Sequence, residues 1–173
     1  MKKEILNVDL LSGNTCFGCG HDNPHGLHIE LYRDEVNPKR IVGTFLPTQL
    51  STGFPGITHG GAVYAALDCL TTWTATMLRG EPGALWLLRS ANVTYHQPTP
   101  IDRPVALMGE IAEQGDLWQA VVVHAEARTA QGDLLVDGMF RTIPVPKEKF
   151  EQIAGIDSIP ENWQKFLDDV VGG

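Results

Sequence analysis

Between Gly60 and Leu78 the chain runs nineteen residues without a proline, as GGAVYAALDCLTTWTATML. That is too long for one strand, and the segment ends in Arg79-Gly80-Glu81-Pro82-Gly83, a helix stop. Its apolar residues leave almost no polar face, so the spacing predicts a helix buried on most sides. Small residues at Ala62, Ala65 and Ala66 let a sheet or a second helix approach closely. One residue conflicts with this burial. Asp68 is the only Asp, Glu, Lys, Arg or His between Gly60 and Leu78. An ionised carboxylate in an oily element costs several kcal/mol unless something pairs with it or uses it.

The rest of the chain supplies what covers the helix. Leu27–Arg33 alternates apolar and polar, the strand period, and Arg40–Leu46 forms a second strand after the turn DEVNPK. A long Gly- and Pro-containing loop, PTQLSTGFPGITHGG, leads into the helix. Four strand-like segments follow it, beginning ALWLL, RPVAL, DLWQA and DLLVD. They are separated by Pro98-Thr99-Pro100, Gln114-Gly115-Asp116 and Gln131-Gly132-Asp133. Two strands, a helix and four strands predict an α+β domain, a curved antiparallel six-stranded sheet wrapped around one long central helix. The expected division is a lead-in and Gly/Pro-rich loop over 1–26, the domain over 27–145 and a helical tail over 146–173.

Composition narrows the function classes. The 173 residues suffice for one domain with a real core, and 43% hydrophobic with 20% charged is a globular balance. The net charge of −8 and pI near 5.1 argue against a nucleic-acid partner. Arg89, Arg103, Arg141, Lys147 and Lys149 offer a local patch for an anionic small ligand, or are ordinary solvated charges. The helix segment, interrupted by Asp68 and four threonines, does not read as a membrane span. With no signal-peptide pattern at the start and an odd number of cysteines, the expected location is the cytoplasm.

The stretches GFPGITHGGAVYAALD (Gly53 to Asp68), ANVTYHQPTP (Ala91 to Pro100) and CFGCGHDNPHGL (Cys16 to Leu27) carry a resemblance. His-Gly-Gly with an Asp nine residues after the His resembles the hotdog-fold acyl-CoA thioesterases, in the phenylacetate-degradation (PaaI-like) branch. The resemblance spans about residues 16 to 145. It implies that Asp68 is the catalytic carboxylate and that the Gly60 N–H polarises the thioester carbonyl. It also implies an acyl-CoA substrate, no cofactor, and two composite sites per homodimer, alone or as a dimer of dimers (a homotetramer). Two positions depart from the pattern: Gly53 stands where many members carry Asn, and about Leu88 where some carry a water-holding Ser.

Elementary geometry reaches the same dimer. Gly60 and Gly61 open the helix, where the first N–H groups lack internal partners and carry the positive end of the macrodipole. Glycine lets a substrate oxygen reach that backbone. Asp68 lies eight residues on, about 12 Å along the axis. A water activated by Asp68 must sit about 3 Å from it. One chain cannot supply both halves, whereas two antiparallel helices related by a two-fold axis can. The expected catalytic residues are therefore Asp68, Gly60 and His59. Gly61, Thr72, Trp73 and Arg89 are expected to contact substrate. Thr72 shares a helix face with Asp68 and is placed to bond it, or else back-bonds to a helix carbonyl. His59 orients the loop or meets the acyl end, or simply satisfies local backbone.

Cys16-x-x-Cys19 with His21, His25 and His28 nearby raises a zinc site, but no second cysteine pair follows, and Cys69 lies inside the helix. No metal is expected on that basis. Two rival functions remain: a non-catalytic acyl-CoA binding or sensing protein, and a hydroxyacyl thioester dehydratase, weakly suggested by Phe54-Pro55-Gly56.

Overall fold

A computed structural model describes residues 3–171. A short helix α1 (Leu6–Asp9) precedes strands β1 (Glu30–Arg33) and β2 (Arg40–Phe45). A small ribbon of β3 (Thr52–Phe54) and β4 (Ile57–Thr58) leads into helix α2 (Gly60–Leu78). Strands β5 (Ala84–Tyr95), β6 (Val105–Gln114), β7 (Val121–Thr129) and β8 (Leu134–Pro146) follow, then helices α3 (Lys147–Ala154) and α4 (Glu161–Phe166). Six strands form one antiparallel sheet in the order β1-β2-β6-β7-β8-β5, which curves around α2. Among the described residues no helix is long and apolar enough to cross a membrane.

The helix bounds match the sequence expectation. His59 caps the start, and the chain leaves the helix through Gly80, whose φ of 59° favours glycine. Val63, Ala66, Leu67 and Leu70 are buried, facing strands whose inward residues alternate, as Val121, Val123, Ala125 and Ala127 do on β7. Fully burying a side chain such as Leu67 or Leu70 contributes about 1.5–3 kcal/mol. The helix meets the sheet closely at Gly109 of β6. A Cβ there would lie 2.5 Å from Thr74 Oγ1 and 3.2 Å from Leu70 Cγ. The Thr74 hydroxyl is folded back onto the Leu70 carbonyl at 2.7 Å, so the contact is already compact.

Three local expectations change. The first strand begins at Glu30 rather than Leu27, because the N–H groups of Leu27 and Ile29 donate to the carbonyls of Phe17 and Gly18. The loop before α2 contains a 3-10 turn, Gln49–Ser51, capped by Thr48, as well as the β3–β4 ribbon. The flanks contribute to the core. Leu6, Leu11, Ile159, Phe166 and Leu167 are buried in the same cluster as α2. Buried Asn7 donates to the carbonyls of Cys19 and Ile29 and accepts from the Leu31 N–H. Phe166 packs on Trp73 with ring centres 5.1 Å apart, and Asn162 donates to the Ser12 carbonyl at 2.7 Å.

The close approach at Gly109 predicts that Gly109→Ala destabilises the fold by about 1–3 kcal/mol through overpacking. Each kcal/mol lowers Tm by about 2–4 °C at this size. Adding Thr74→Ala, which removes the nearest atom, should recover part of the loss in calorimetric melts. Additive losses in the double variant would contradict the contact.

Candidate active site

The entrance to α2 is held by backbone. His59 N–H donates to Ser51 O at 2.7 Å and Thr58 N–H to Thr99 O at 2.8 Å. The His59 ring then caps the helix, its Nδ1 accepting from the Gly61 N–H at 2.9 Å. That engages both His59 and Gly61 in local structure. The Gly60 N–H donates to no acceptor among the described residues, while its carbonyl accepts from Tyr95 Oη at 3.0 Å. Gly60 faces an open groove of about 340 Å³ with Phe54, Val63 and Tyr95 on its walls. The packing also explains the glycine at 53, where a Cβ would lie 2.9 Å from His59 Cα. The backbone here is too close to His59 for an asparagine without a shift.

Asp68 sits two turns further along, half-buried. Burial pushes its carboxyl above the ordinary carboxylate range, and the nearby Cys16 adds to the shift. Among the described residues no side chain bonds or pairs with its carboxylate; its backbone carbonyl accepts from Thr71 Oγ1 at 2.8 Å. Thr72 does not make the contact with Asp68 expected from its spacing. Its hydroxyl back-bonds to the Cys69 carbonyl at 3.0 Å, the geometry that a helix offers every threonine. Thr72 and Trp73 instead form one wall of an apolar cavity of about 360 Å³, closed by Trp86, Trp163 and Phe166. The tail therefore lines the cavity.

The remaining candidates lie apart. Arg89 is exposed on β5, where the pairing with β8 skips it between Leu88 and Ser90. Leu88 packs against the core. Cys69 corrects the sequence reading that set it aside. Its position in the helix turns it toward loop 16–20, and its Sγ lies 3.6 Å from Cys16 Sγ. The sulfurs of Cys16, Cys19 and Cys69 all lie within 4.8 Å of one another. Hydrogen bonds from the Cys19 and Cys69 thiols lower the pKa of Cys16, while the same contacts push Cys19 and Cys69 up.

No protein-family profile matches the sequence, and no curated protein matches it either. Solved structures do match. The thioesterase HI1161 of Haemophilus influenzae superposes with a TM-score of 0.63 at 17% identity, covering 74% of this chain and 85% of that one. A hypothetical thioesterase from Streptococcus pneumoniae, crystallised with coenzyme A, gives 0.58 at 17% identity over 68% and 89%. The Escherichia coli PaaI protein of the phenylacetic acid degradation operon gives 0.58 at 17% identity over 69% and 80%. The sheet curved around a single central helix is thus the hotdog fold that these thioesterase-superfamily structures share.

Proposed function

We propose that the chain is an acyl-CoA thioesterase whose active sites are shared between two copies. Asp68 of one copy takes a proton from water, and that water attacks the thioester carbonyl. The Gly60 N–H of the other copy holds the oxyanion, and the coenzyme A thiolate leaves and is protonated. A nucleophilic Asp68 forming a mixed anhydride is the less direct alternative. The observation that carries this reading is the pairing of an unpartnered, half-buried carboxylate with a free amide at the helix tip, about 12 Å apart within one chain.

Supporting features lie around that pair. β5 is a long edge strand, exposed over Arg89–Asn92, and such an edge invites pairing with a second copy. The apolar cavity one turn beyond Asp68 suits the acyl group, with Trp73 as its wall. Exposed Arg89 is available to the phosphates of coenzyme A. The pneumococcal relative in fold was crystallised with that molecule. His59 acts by positioning the helix tip, and Gly61 by carrying its cap. A non-catalytic acyl-CoA binder is the second reading, favoured by the absence of polar support at Gly53 and Leu88.

Hydrolysis of an acyl-CoA panel separates the two readings. Asp68→Asn should lower kcat/KM by about 10²–10⁴-fold. Gly60→Pro removes the N–H at a position where proline suits a helix, after a His59 already extended at φ −62° and ψ 130°. It should cost about 10²–10³-fold. Co-expression of the two dead variants at equal levels should restore about a quarter of wild-type activity, since half the dimers then carry one intact composite site. Isolated heterodimers without activity would rule out sharing, and a wild-type protein that binds but never cleaves would favour the binder.

The same carboxylate predicts a stability signature. A carboxyl whose pKa is raised by folding costs stability when ionised, so stability falls as pH rises through the folded value. Asp68→Asn should therefore raise Tm above neutrality. The gain should vanish below the ordinary carboxylate range, where Asp68 is protonated in both states. A pH-independent gain in melting scans would contradict an ionised Asp68.

A further inference from the structure

Cys16, Cys19 and Cys69 have no part in the proposed hydrolysis, yet loop 16–20 is built tightly around them. We propose that the three cysteines form a zinc site that pins this loop to α2 beside Asp68, with a water as the fourth ligand. The claim rests on the fold and the thiol geometry alone, independently of thioester hydrolysis.

Zinc bound tetrahedrally at about 2.3 Å places its sulfur ligands about 3.8 Å apart. Cys16 and Cys69 already stand at 3.6 Å, and all three sulfurs fall within 4.8 Å, so small side-chain shifts complete the site. The ligands come from two elements 53 positions apart, and their convergence requires the fold. Gly18 permits it: a Cβ there would lie 2.4 Å from Cys69 Sγ. At Gly20 a Cβ would lie 2.4 Å from Asn14 O, and the Gly20 N–H closes the turn onto Cys16 O at 3.0 Å.

Asn14 braces the cluster from outside. Its Nδ2 donates to Cys19 Sγ at 3.5 Å and its Oδ1 accepts from the Cys16 N–H at 3.0 Å, so one side chain orients two of the three ligands. On binding, each thiol gives its proton to solvent, and three thiolates with one divalent ion leave a single negative charge. Cys19 is buried, whereas Cys16 and Cys69 are only partly buried, and the Cys16 side leaves a path for the ion and its water. Soft sulfur ligands select zinc over magnesium or calcium.

The test uses the full chain, purified under reducing conditions without added metal. Elemental analysis should find about one zinc per chain. Cobalt(II) exchanged into the protein should show a thiolate-to-metal charge-transfer band and tetrahedral visible bands. Cys16→Ser and Cys69→Ser should each weaken cobalt binding at least ~100-fold, and Asn14→Ala about 10–100-fold. Circular dichroism checks that each variant folds; if Cys69→Ser does not, partly buried Cys16→Ser decides. Asp68→Asn, dead in hydrolysis, should keep the cobalt spectrum, which separates this claim from the proposed reaction. Three reagent-accessible thiols with no metal and no cobalt band would overturn the site. A native mass lower by two hydrogens, with one free thiol left, would overturn it in favour of a disulfide.

Discussion

The close seating of α2 on the sheet sets the rest of the structure. Leu70 and Thr74 lie against β6 at a glycine, and no larger residue leaves room there without a shift. Once the helix is held along its length, its geometry is rigid: the tip at Gly60 and the acid at Asp68 are separated by about 12 Å that no loop motion can shorten. A flexible linker between the same two groups would allow a single-chain site. A buried rod does not, and the proposed sharing of the site between two copies therefore rests on the packing rather than on the chemistry of either group.

Much of this was legible because it is periodic. Nineteen largely apolar residues from Gly60 to Leu78, bounded by a cap and a Gly- and Pro-containing stop, specify one element almost regardless of context, and the helix falls on those bounds. β7 alternates cleanly, and the turns on either side of it are marked by Gly115 and Gly132. What was not legible depends on contacts far apart in sequence. Asn7 looks like a loop residue until its amide is seen to serve three backbone groups on two other segments. Trp163 and Phe166 sit in a short, largely polar helix, and only the cavity they close gives them a role. Cys69 resembles an inert core thiol for the same reason, since nothing in its neighbours announces a loop some 50 residues earlier.

The site divides along the same line. Asp68 stood out because a lone charge breaks an apolar pattern, and Gly60 because consecutive glycines open a helix. Thr72 was placed beside Asp68 by helical spacing, but spacing gives proximity and not bonding. The helix carbonyl one turn back is nearer and always available, and the hydroxyl takes it. His59 went the same way, with its ring turned onto the Gly61 N–H instead of outward. Where a side chain can satisfy backbone locally it does so, and that leaves the Asp68 carboxylate and the Gly60 amide, without partners among the described residues, as the remainder that the proposed reaction uses.

That remainder is costly in a single copy. A half-buried carboxylate without a bonding partner raises its own pKa and lowers stability, and a helix tip with an open donor leaves part of the dipole uncompensated. Each supplies what the other lacks, negative charge and positive potential, yet the rod keeps them apart within the chain. The loop and the tail brace the helix just beyond the acid, through Cys69 and Trp73, so that part of the helix cannot shift without breaking both contacts. Two such rods packed antiparallel would bring acid and tip together across the axis, with substrate and water between them, and would relieve both defects at once. The unpartnered state of both groups and the proposed chemistry of the pair thus have one origin, the placement of Asp68 in the interior of a helix that cannot bend toward its own end.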